Sequence, residues 1–409
     1  MHLEHTPRSP LERVAVHNDP MGHPVPDRFI DSLLVDAIHD GSVLPEEFRF
    51  TAEGEPIFKD ETYPTDFVNE RDWGAELVAS HLSAALGIGH YYRVTTARSL
   101  MDFGRFPGIT PPGADHLHRY AINYPFSRKL SHQQKHKLLT THYDRISSDL
   151  ERALKGKRIK IAVHTYDKRN PTQFERPAVS LLTRPFDFQH LTANPFSYFD
   201  PCFPSKVIEY TADRLLRTRI AQTLEEASVH TADNFPYSLP DGSVEVRAQV
   251  WYFFQHVRAC YTASLPPRPI SLAQEKCPRE MVWEMLLDTN LRSTESQALR
   301  GYIHMFRTPP ESQRQLFQAA REEYELIRRF ITKEYEFLVN EYRESSRRPS
   351  TLLIEVRKDL VWNFSNGYPV GPRTDNARFI ARKLALAISQ YLKEDRPSKD
   401  RSSINRSFL

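Results

Sequence analysis

Two short apolar runs without a helical period each lead to a histidine. The first run contains Leu33, Leu34, Val35, Ala37 and Ile38. His39 follows this run directly, and Asp40-Gly41 then supplies a turn signal. The second run begins at Lys157 and ends at His164. Runs of this length and composition are typical of buried strands.

Side chains at the carboxyl ends of strands line the ligand crevice of open α/β sheets. A single histidine there is most simply a half-buried residue bonded to a neighbouring backbone group. Two of them, His39 and His164, instead predict one site built from adjacent strand ends. A catalytic zinc with three protein ligands is often assembled in this way.

Strand and helix patterns alternate along most of the chain. Helical spacing of apolar residues covers Val68–Gly87, His132–Leu154 and Val207–Ser228. Strand patterns cover Tyr91–Ala97 and Arg176–Thr183, in addition to the two histidine runs. This order predicts an α/β fold, a three-layer sandwich with a mixed, mostly parallel central sheet.

Residues 264–350 depart from the alternation and predict a helical insertion. They contain a helix near Arg279–Asp288 and a long charged helix over Pro310–Arg343, whose apolar stripe is typical of a packing face. The insertion would either cover the cleft or mediate self-association into a homo-oligomer. A strand over Thr351–Trp362 and a helix over Asn376–Leu392 then complete the core.

The patterns divide the chain into five segments. They are an irregular lead-in (1–30), an α/β core (31–263), the insertion (264–350), the completion of the core (351–393) and a disordered tail (394–409).

Composition indicates a folded protein without nucleic-acid or membrane partners. The 409 residues include 24 Phe, 18 Tyr and 4 Trp, which suits a large core. A net charge of +3, from 55 basic and 52 acidic residues, is too balanced to indicate binding to nucleic acid or membranes.

The three cysteines, Cys202, Cys260 and Cys277, lie far apart and fit a reducing compartment better than a disulfide framework. The amino terminus lacks the apolar segment of a signal peptide, and no stretch approaches the roughly 18 apolar residues of a membrane helix. We therefore expect a cytoplasmic protein.

Charged residues in three further segments are candidates for substrate binding, metal binding or catalysis. Arg98, Asp102 and Arg105 follow a strand and could recognise a carboxylate, or lie in a solvated loop. Asp72 lies near a helix start, where the helix dipole favours a carboxylate, so a plain N-cap is the alternative. Glu355 and Arg357 share one face of an apolar strand, so either a mutual ion pair or an active site is needed to explain their burial.

Six blocks in chain order carry a resemblance to a known family. They are His39–Pro45, Asp72–Glu76, Arg98–Arg105, Val163–Thr165, Asn234–Tyr237 and Ile354–Asp359. Together they resemble the N-formylglutamate amidohydrolase family, which is related to the zinc carboxypeptidases. The resemblance covers about residues 30–260 and 350–393 and leaves the insertion uncovered.

The resemblance implies one Zn²⁺ held by His39, His164 and Asp72, with Glu70 as a substitute for Asp72. It implies Glu355 as the general base of amide hydrolysis. The residues it implies for substrate contact are Arg98, Asp102, Arg105, Asn234, Tyr237 and Arg357. The expected activity is that of a zinc-dependent amidohydrolase or deacylase.

The expected substrate is an N-acyl amino acid or a small peptide-like amide that carries a carboxylate. Two alternatives remain open. One is a non-catalytic binding protein that keeps the fold and uses the insertion as its interaction surface. The other is an enzyme of this fold that modifies a peptide or protein. The joint presence of His39, His164 and Glu355 favours an enzyme.

Overall fold

A seven-stranded sheet forms the centre of the molecule. The computed structural model describes residues 9–57, 62–110, 120–184, 199–207, 209–265, 277–345 and 348–394. The strands are β1 (Leu11–Ala15), β2 (Leu33–Ala37), β3 (His90–Val94), β4 (Ile159–Tyr166), β5 (Val179–Leu182), β6 (Thr231–Asp233) and β7 (Ser350–Arg357). Their order in the sheet is β1-β3-β2-β4-β7-β5-β6.

The sheet is mixed and mostly parallel. The pairs β2/β3, β2/β4, β4/β7 and β5/β6 are parallel, whereas β1/β3 and β5/β7 are antiparallel. A separate antiparallel hairpin contains β8 (Trp362–Ser365) and β9 (Tyr368–Pro372). The predicted sheet type is therefore confirmed.

The helices of the first half are α1 (Thr62–Glu70), α2 (Ala75–Leu86), α3 (Phe126–Lys129), α4 (His132–Leu138) and α5 (Asp144–Leu154). The later helices are α6 (Arg214–Glu226), α7 (Val244–Ser264), α8 (Pro278–Leu287), α9 (Thr294–Met305), α10 (Arg314–Lys333), α11 (Tyr335–Glu344), α12 (Lys358–Val361) and α13 (Thr374–Glu394). A π-helical turn, Leu139–Tyr143, joins α4 to α5. None of the helices in the described ranges is long and apolar enough to cross a membrane.

Helical layers cover both faces of the sheet. Successive strand residues point to opposite sides, and apolar side chains on each side pack against helices. Val35, Ile161 and Ile354 belong to the apolar cluster that includes α2, α6 and α13. Ala162 and Leu353, on the opposite face, belong to the cluster that includes α7 to α11. The arrangement is the three-layer sandwich expected from the sequence.

The segment predicted as an insertion, residues 264–350, is mostly helical over 277–345, and its last residue, Ser350, begins β7. It contributes α8, α9, α10 and α11, and the long helix predicted over Pro310–Arg343 is divided at Glu334 into α10 and α11. The predicted stripe is a packing face, since Tyr324, Ile327 and Leu338 are buried. These helices pack against α7 in one apolar cluster. The roles in covering the cleft or in self-association remain predictions.

The amino-terminal segment differs from the irregular lead-in that was expected. Leu11–Ala15 forms an edge strand paired with β3 through a register that aligns Leu11 with Val94. Asp27–Ser32 adds a turn of 3₁₀ helix before β2. The predicted disordered tail lies outside the described residues except for Glu394, the last residue of α13.

Candidate metal centre

Parallel strands bring the two predicted histidines to one edge of the sheet. β2 and β4 pair in parallel, so His39, two residues beyond β2, and His164, near the carboxyl end of β4, lie at the same edge of the sheet. The two imidazole rings lie 4.6 Å apart, centroid to centroid, with their planes at 75°. Both side chains are buried. On the other side of β4, Glu355 of β7 is the register partner of His164.

Asp72 joins the histidines from a turn between two helices. The single helix predicted over Val68–Gly87 is interrupted: α1 ends at Glu70 and α2 begins at Ala75. The Asp72 N–H donates to the carbonyl oxygen of His39, 3.1 Å away, which ties the turn to the end of β2.

The carboxylate of Asp72 does not cap α2. That capping is supplied by Asp40, whose Oδ2 accepts a 2.9 Å bond from the Glu76 N–H. Asp72 Oδ2 instead lies 2.9 Å from His164 Nδ1 and 3.6 Å from His39 Nδ1. The N-cap alternative for Asp72 is thus replaced by contact with both imidazoles.

The donor atoms of this triad suit a metal ion. One ligand atom from each of His39, Asp72 and His164 can be chosen so that all lie within 4.8 Å of one another. Nitrogen and oxygen ligands of a tetrahedral zinc are separated by about 3.4 Å, which lies between the two imidazole–carboxylate distances. His39 Nδ1, one of these atoms, is buried without a hydrogen-bond partner among the described residues, and so is the other ring nitrogen of His164, Nε2. Two imidazoles and one carboxylate form a donor set common in catalytic zinc sites.

Asp102, predicted as a substrate contact, lies behind His39. Its Oδ1 is 2.8 Å from His39 Nε2 and accepts a 2.9 Å bond from the Gly104 N–H. A Cβ added at Gly104 would lie 3.2 Å from the His39 ring, so a side chain there would crowd the imidazole. A carboxylate bonded to the distal nitrogen of a metal-binding histidine fixes the ring's orientation. The geometry gives Asp102 this orienting position.

The charges of these groups depend on their neighbours. Burial opposes ionisation of Asp72, but Arg98 and the imidazoles of His164 and His39 outweigh it and hold the pKa of this carboxyl well below its usual range. Burial likewise opposes ionisation of Asp102, whose pKa is held low by His39 and Arg98. For His39, burial and Arg98 oppose protonation, but Asp102 and Asp72 raise its pKa above the ordinary value.

Glu355 completes the centre from β7. Its side chain is buried, and Oε1 accepts a short hydrogen bond from the Tyr237 hydroxyl. Oε2 is buried and has no partner within the described part of the chain. Burial raises the pKa of Glu355, with Asp72 acting in the same direction and His164 opposing it. The carboxyl group therefore has one oxygen held in place and one without a partner among the described residues.

Two of the predicted arginines lie at the rim of the centre. Arg98 Nη1 donates a 2.7 Å bond to Asp72 Oδ1, and Arg105 Nε lies 3.7 Å from Asp102 Oδ2. Their side chains are 23% and 17% exposed, whereas the two carboxylates are 2–3% exposed. The side chains of these two arginines are thus more exposed than the carboxylates that they contact. This position permits contact with an anionic ligand.

Arg357 and Asn234 have other contacts in the structure. Arg357 forms a two-bond ion pair with Asp359, at 3.0 and 3.1 Å, and also contacts Glu175. Asn234 Oδ1 accepts bonds from two backbone N–H groups that follow β5. The suggested Glu355–Arg357 partnership is therefore replaced by pairs with Tyr237 and Asp359. Substrate contact by Arg357 or Asn234 remains a prediction.

Glu70, the proposed substitute for Asp72, is the last residue of α1. Its carbonyl oxygen accepts a 3.3 Å bond from Arg98, while the triad is formed with Asp72. Asp40 was not predicted to have a role, although it follows His39 directly. Burial raises its pKa to about 6, and Arg71 pairs with it at 2.7 Å. Its position next to His39 in the sequence was the one feature from which a role for Asp40 could have been predicted.

Comparison with known proteins gives matches in structure alone. No family model matches the sequence, and no curated protein matches it. A crystal structure of N-formylglutamate amidohydrolase from Ralstonia eutropha JMP134 is 13% identical with a TM-score of 0.46, covering 94% of this chain and 99% of that one. A gene product from Agrobacterium tumefaciens is 13% identical with a TM-score of 0.41, covering 88% and 90%. The chain is thus similar in structure, at low identity, to an N-formylglutamate amidohydrolase.

Proposed function

We propose that the protein is a metal-dependent amidohydrolase or deacylase. One observation carries the proposal: His39, Asp72 and His164 place buried donor atoms around one point, with the unpartnered oxygen of Glu355 on the adjacent strand. Metal ligands alone would suit a structural site as well. A buried carboxyl group beside an open ligand set is typical of hydrolytic centres.

The donor set favours Zn²⁺, because imidazole nitrogen with one carboxylate oxygen suits this ion better than Mg²⁺ or Ca²⁺. A bound ion would supply Lewis acidity, which lowers the pKa of an attacking water and polarises an amide carbonyl. Asp102 holds His39 in the orientation that directs Nδ1 towards Asp72. Arg98 keeps Asp72 ionised and therefore able to bind a cation.

Glu355 takes the proton of the attacking water on Oε2 and passes it to the leaving nitrogen. The Tyr237 hydroxyl holds Oε1 and thereby fixes the direction of the carboxyl group. Because burial raises the pKa of Glu355, the group is a stronger base than an exposed glutamate. Its raised pKa also helps it to hold the proton until the amide nitrogen departs.

The proposed substrate is an N-acyl amino acid or a small peptide-like amide with a carboxylate. The partly exposed side chains of Arg98 and Arg105 support this choice, since a guanidinium binds a carboxylate through paired hydrogen bonds. Both arginines already face Asp72 or Asp102, so a substrate carboxylate would share them with the centre. Loss of either arginine should raise KM for carboxylate-bearing amides more than for neutral ones.

Glu355→Gln is the decisive variant. It preserves shape and removes the basic oxygen, so amide hydrolysis should fall by about 10²–10⁴-fold while zinc content equals that of the wild type. The measurements are turnover on a panel of N-acyl amino acids, bound zinc and melting temperature, all on one preparation. Chelation should abolish the wild-type activity, and added zinc should restore it.

Glu175→Gln provides the matched control, because this exposed carboxylate pairs with Arg357 on the same strand as Glu355. It should keep full activity. A stable, zinc-loaded Glu355→Gln protein with wild-type turnover would refute the assigned base. Wild-type protein that binds zinc but hydrolyses no amide on the panel would favour the non-catalytic binding alternative.

A further inference from the structure

A second group of potential metal ligands lies between helices α7 and α11. His256 and Cys260 are one helical turn apart on α7, and Glu341 faces them from α11. His256 Nε2 lies 3.7 Å from Cys260 Sγ and 3.8 Å from Glu341 Oε2. Cys260 Sγ lies 4.0 Å from the same carboxylate oxygen. Each of the three atoms is therefore close to both of the others.

These separations are near those of a preformed zinc site. Tetrahedral zinc with ordinary bond lengths separates a sulfur from a nitrogen or oxygen ligand by about 3.6 Å, and nitrogen from oxygen by about 3.4 Å. The observed distances exceed these values by only about 0.1–0.4 Å. The Glu341 side chain is 47% exposed, so a small rotation of its carboxylate can close the difference.

The helices that carry the ligands are held by a packed interface. Val257 and Tyr261 of α7 and Leu338 and Tyr342 of α11 are buried in one apolar cluster. The His256 ring also lies 5.8 Å from the ring of Tyr342, which limits its rotation. Because the backbone positions are determined by this packing, ligand binding requires ordering of side chains alone.

We propose that His256, Cys260 and Glu341 bind a divalent transition metal, with Zn²⁺ the best match, and that the ion clamps α7 to α11. A thiolate, an imidazole and a carboxylate select zinc-like ions and disfavour Mg²⁺ and Ca²⁺, which require oxygen ligands. On binding, the Cys260 thiol releases its proton to solvent, and the thiolate and carboxylate neutralise the two positive charges of the ion. Water occupies the fourth position.

The chemistry of this site distinguishes it from the candidate catalytic centre. His39, Asp72 and His164 supply nitrogen and oxygen only, whereas the second site includes sulfur. Cobalt(II) bound through a thiolate shows a sulfur-to-metal charge-transfer absorption that a nitrogen and oxygen site lacks. The proposal stands independently of the proposed hydrolase, since either site can fail while the other binds metal.

The test is a cobalt titration of the metal-free full-length protein. The wild type should develop the charge-transfer band, and Cys260→Ser should lose it while retaining its circular dichroism spectrum. Cys277→Ser is the matched control, because Cys277 is an exposed cysteine outside the cluster, and it should keep the band. Absence of the band in the wild type, or its survival in Cys260→Ser, would overturn the proposal.

Zinc protection of the thiol gives a second readout on unmodified protein. Saturating zinc should slow alkylation of Cys260 by at least about tenfold, since a metal-bound thiolate is a poor nucleophile towards the reagent. Cys277 serves as the internal reference and should react at an unchanged rate. Equal alkylation of Cys260 with and without zinc would contradict metal binding there.

Glu341→Gln tests the same site through another ligand, in case Cys260→Ser disturbs the fold. Glu341 is exposed, and its replacement should weaken zinc protection of Cys260 by about tenfold or more. Glu344→Gln, an exposed carboxylate on the same helix, should leave protection unchanged. Identical behaviour of the two variants would exclude Glu341 as a ligand and with it the proposed site.

Discussion

Strands β2 and β4 carry two buried clusters of ionisable groups on one face of the sheet. Nearer the amino end of β4, Lys160 Nζ lies 2.7 Å from Asp36 Oδ2 and 2.5 Å from Glu245 Oε1. Near its carboxyl end lies the centre that includes His164. Lys160 and His164 share a face because they are four positions apart, an even number, on the same strand. The same two strands thus contribute to an internal ion-pair cluster and to a candidate metal centre.

The clusters differ in the origin of their positive charge. The chain supplies Lys160 as a cation between two carboxylates, and all three side chains are at most 1% exposed. Burial raises the pKa of Asp36 despite Lys160, whereas for Glu245 the attraction of Lys160 outweighs burial and lowers the pKa. The cluster of Lys160, Asp36 and Glu245 therefore contains its own counter-charge.

At the candidate metal centre, Arg98 and Arg105 contact the carboxylates, but one ring nitrogen of each histidine has no partner among the described residues. A metal ion would supply positive charge to His39, Asp72 and His164, whereas Lys160 supplies it to Asp36 and Glu245. The comparison teaches that burial of charge alone does not identify a functional site. Buried charge combined with unpartnered imidazole nitrogens and partly exposed arginine side chains provides a better criterion.

The largest expected effect comes from removal of the internal cation. Lys160→Met leaves Asp36 and Glu245 buried without their counter-charge, which should lower the free energy of unfolding by about 3–5 kcal/mol. Urea unfolding monitored by circular dichroism measures the change. A loss below about 1 kcal/mol would contradict the structural role assigned to the cluster of Lys160, Asp36 and Glu245.

Replacement of the whole cluster supplies the control. Lys160→Met combined with Asp36→Leu and Glu245→Met removes every charge together, and it should recover most of the lost stability. A triple variant as unstable as the single one would show that packing around Lys160, rather than its charge, determines the effect.

The next effect concerns the carboxylate behind the metal centre. Asp102→Asn should weaken zinc affinity by about 10–100-fold, because the Asp102–His39 bond orients the imidazole and raises its basicity. Titration in a Cys260→Ser background isolates this centre from the second proposed site. Asp359→Asn, which alters the Arg357 ion pair, is the control and should leave affinity unchanged.

The pH dependence of this binding has a defined sign. Zinc must displace the proton of His39, whose pKa is raised in the metal-free protein, so affinity should fall as pH decreases through that pKa. Asp102→Asn removes a group that raises the pKa of His39, so proton competition should shift to lower pH. The affinity deficit of the variant should therefore be greatest at alkaline pH. A deficit that is constant across pH would contradict a role through His39.

Much of the centre could be predicted because strand patterns are local. Apolar runs identify β2, β4 and β7, and parallel pairing then brings residues at their carboxyl ends to one edge. His39, His164 and Glu355 are adjacent for this reason. Asp72 was identified as well, although its turn was taken for the start of a helix. At the break between α1 and α2, Asp72 bonds to the backbone of His39, which is a long-range contact.

Other features could not be predicted because they depend on partners distant in sequence. Lys160 lies in an apolar strand, but its neutralisation requires Glu245 from α7. The apolar run that forms α7 is buried on several sides, and its pattern does not separate helix from strand. Arg357 shares a strand face with Glu355, yet it pairs with Asp359 and Glu175. Two residues on the same face of a strand can contact each other, but this placement does not determine which partner each one binds.

The smallest expected effect tests how Tyr237 controls Glu355. The Tyr237 hydroxyl donates to the carboxylate, which favours the charged form, so Tyr237→Phe should raise the pKa of Glu355 further. The acidic limb of the kcat/KM profile should then move to higher pH. Activity at neutral pH should fall by about tenfold or less and recover in part under alkaline conditions.

Tyr166→Phe is the matched control for Tyr237→Phe, because its hydroxyl bonds to Pro177 and Ser180 beside the same glutamate. It should leave the acidic limb nearly unchanged. If Tyr237 acted only through packing, the phenylalanine variant would lose activity equally at every pH. A shift of the acidic limb to lower pH would be incompatible with donation to the ionised carboxylate, since removal of a donor cannot favour the charged form. The direction of the shift, rather than the size of the loss, therefore decides between a hydroxyl that positions the base and a ring that fills space.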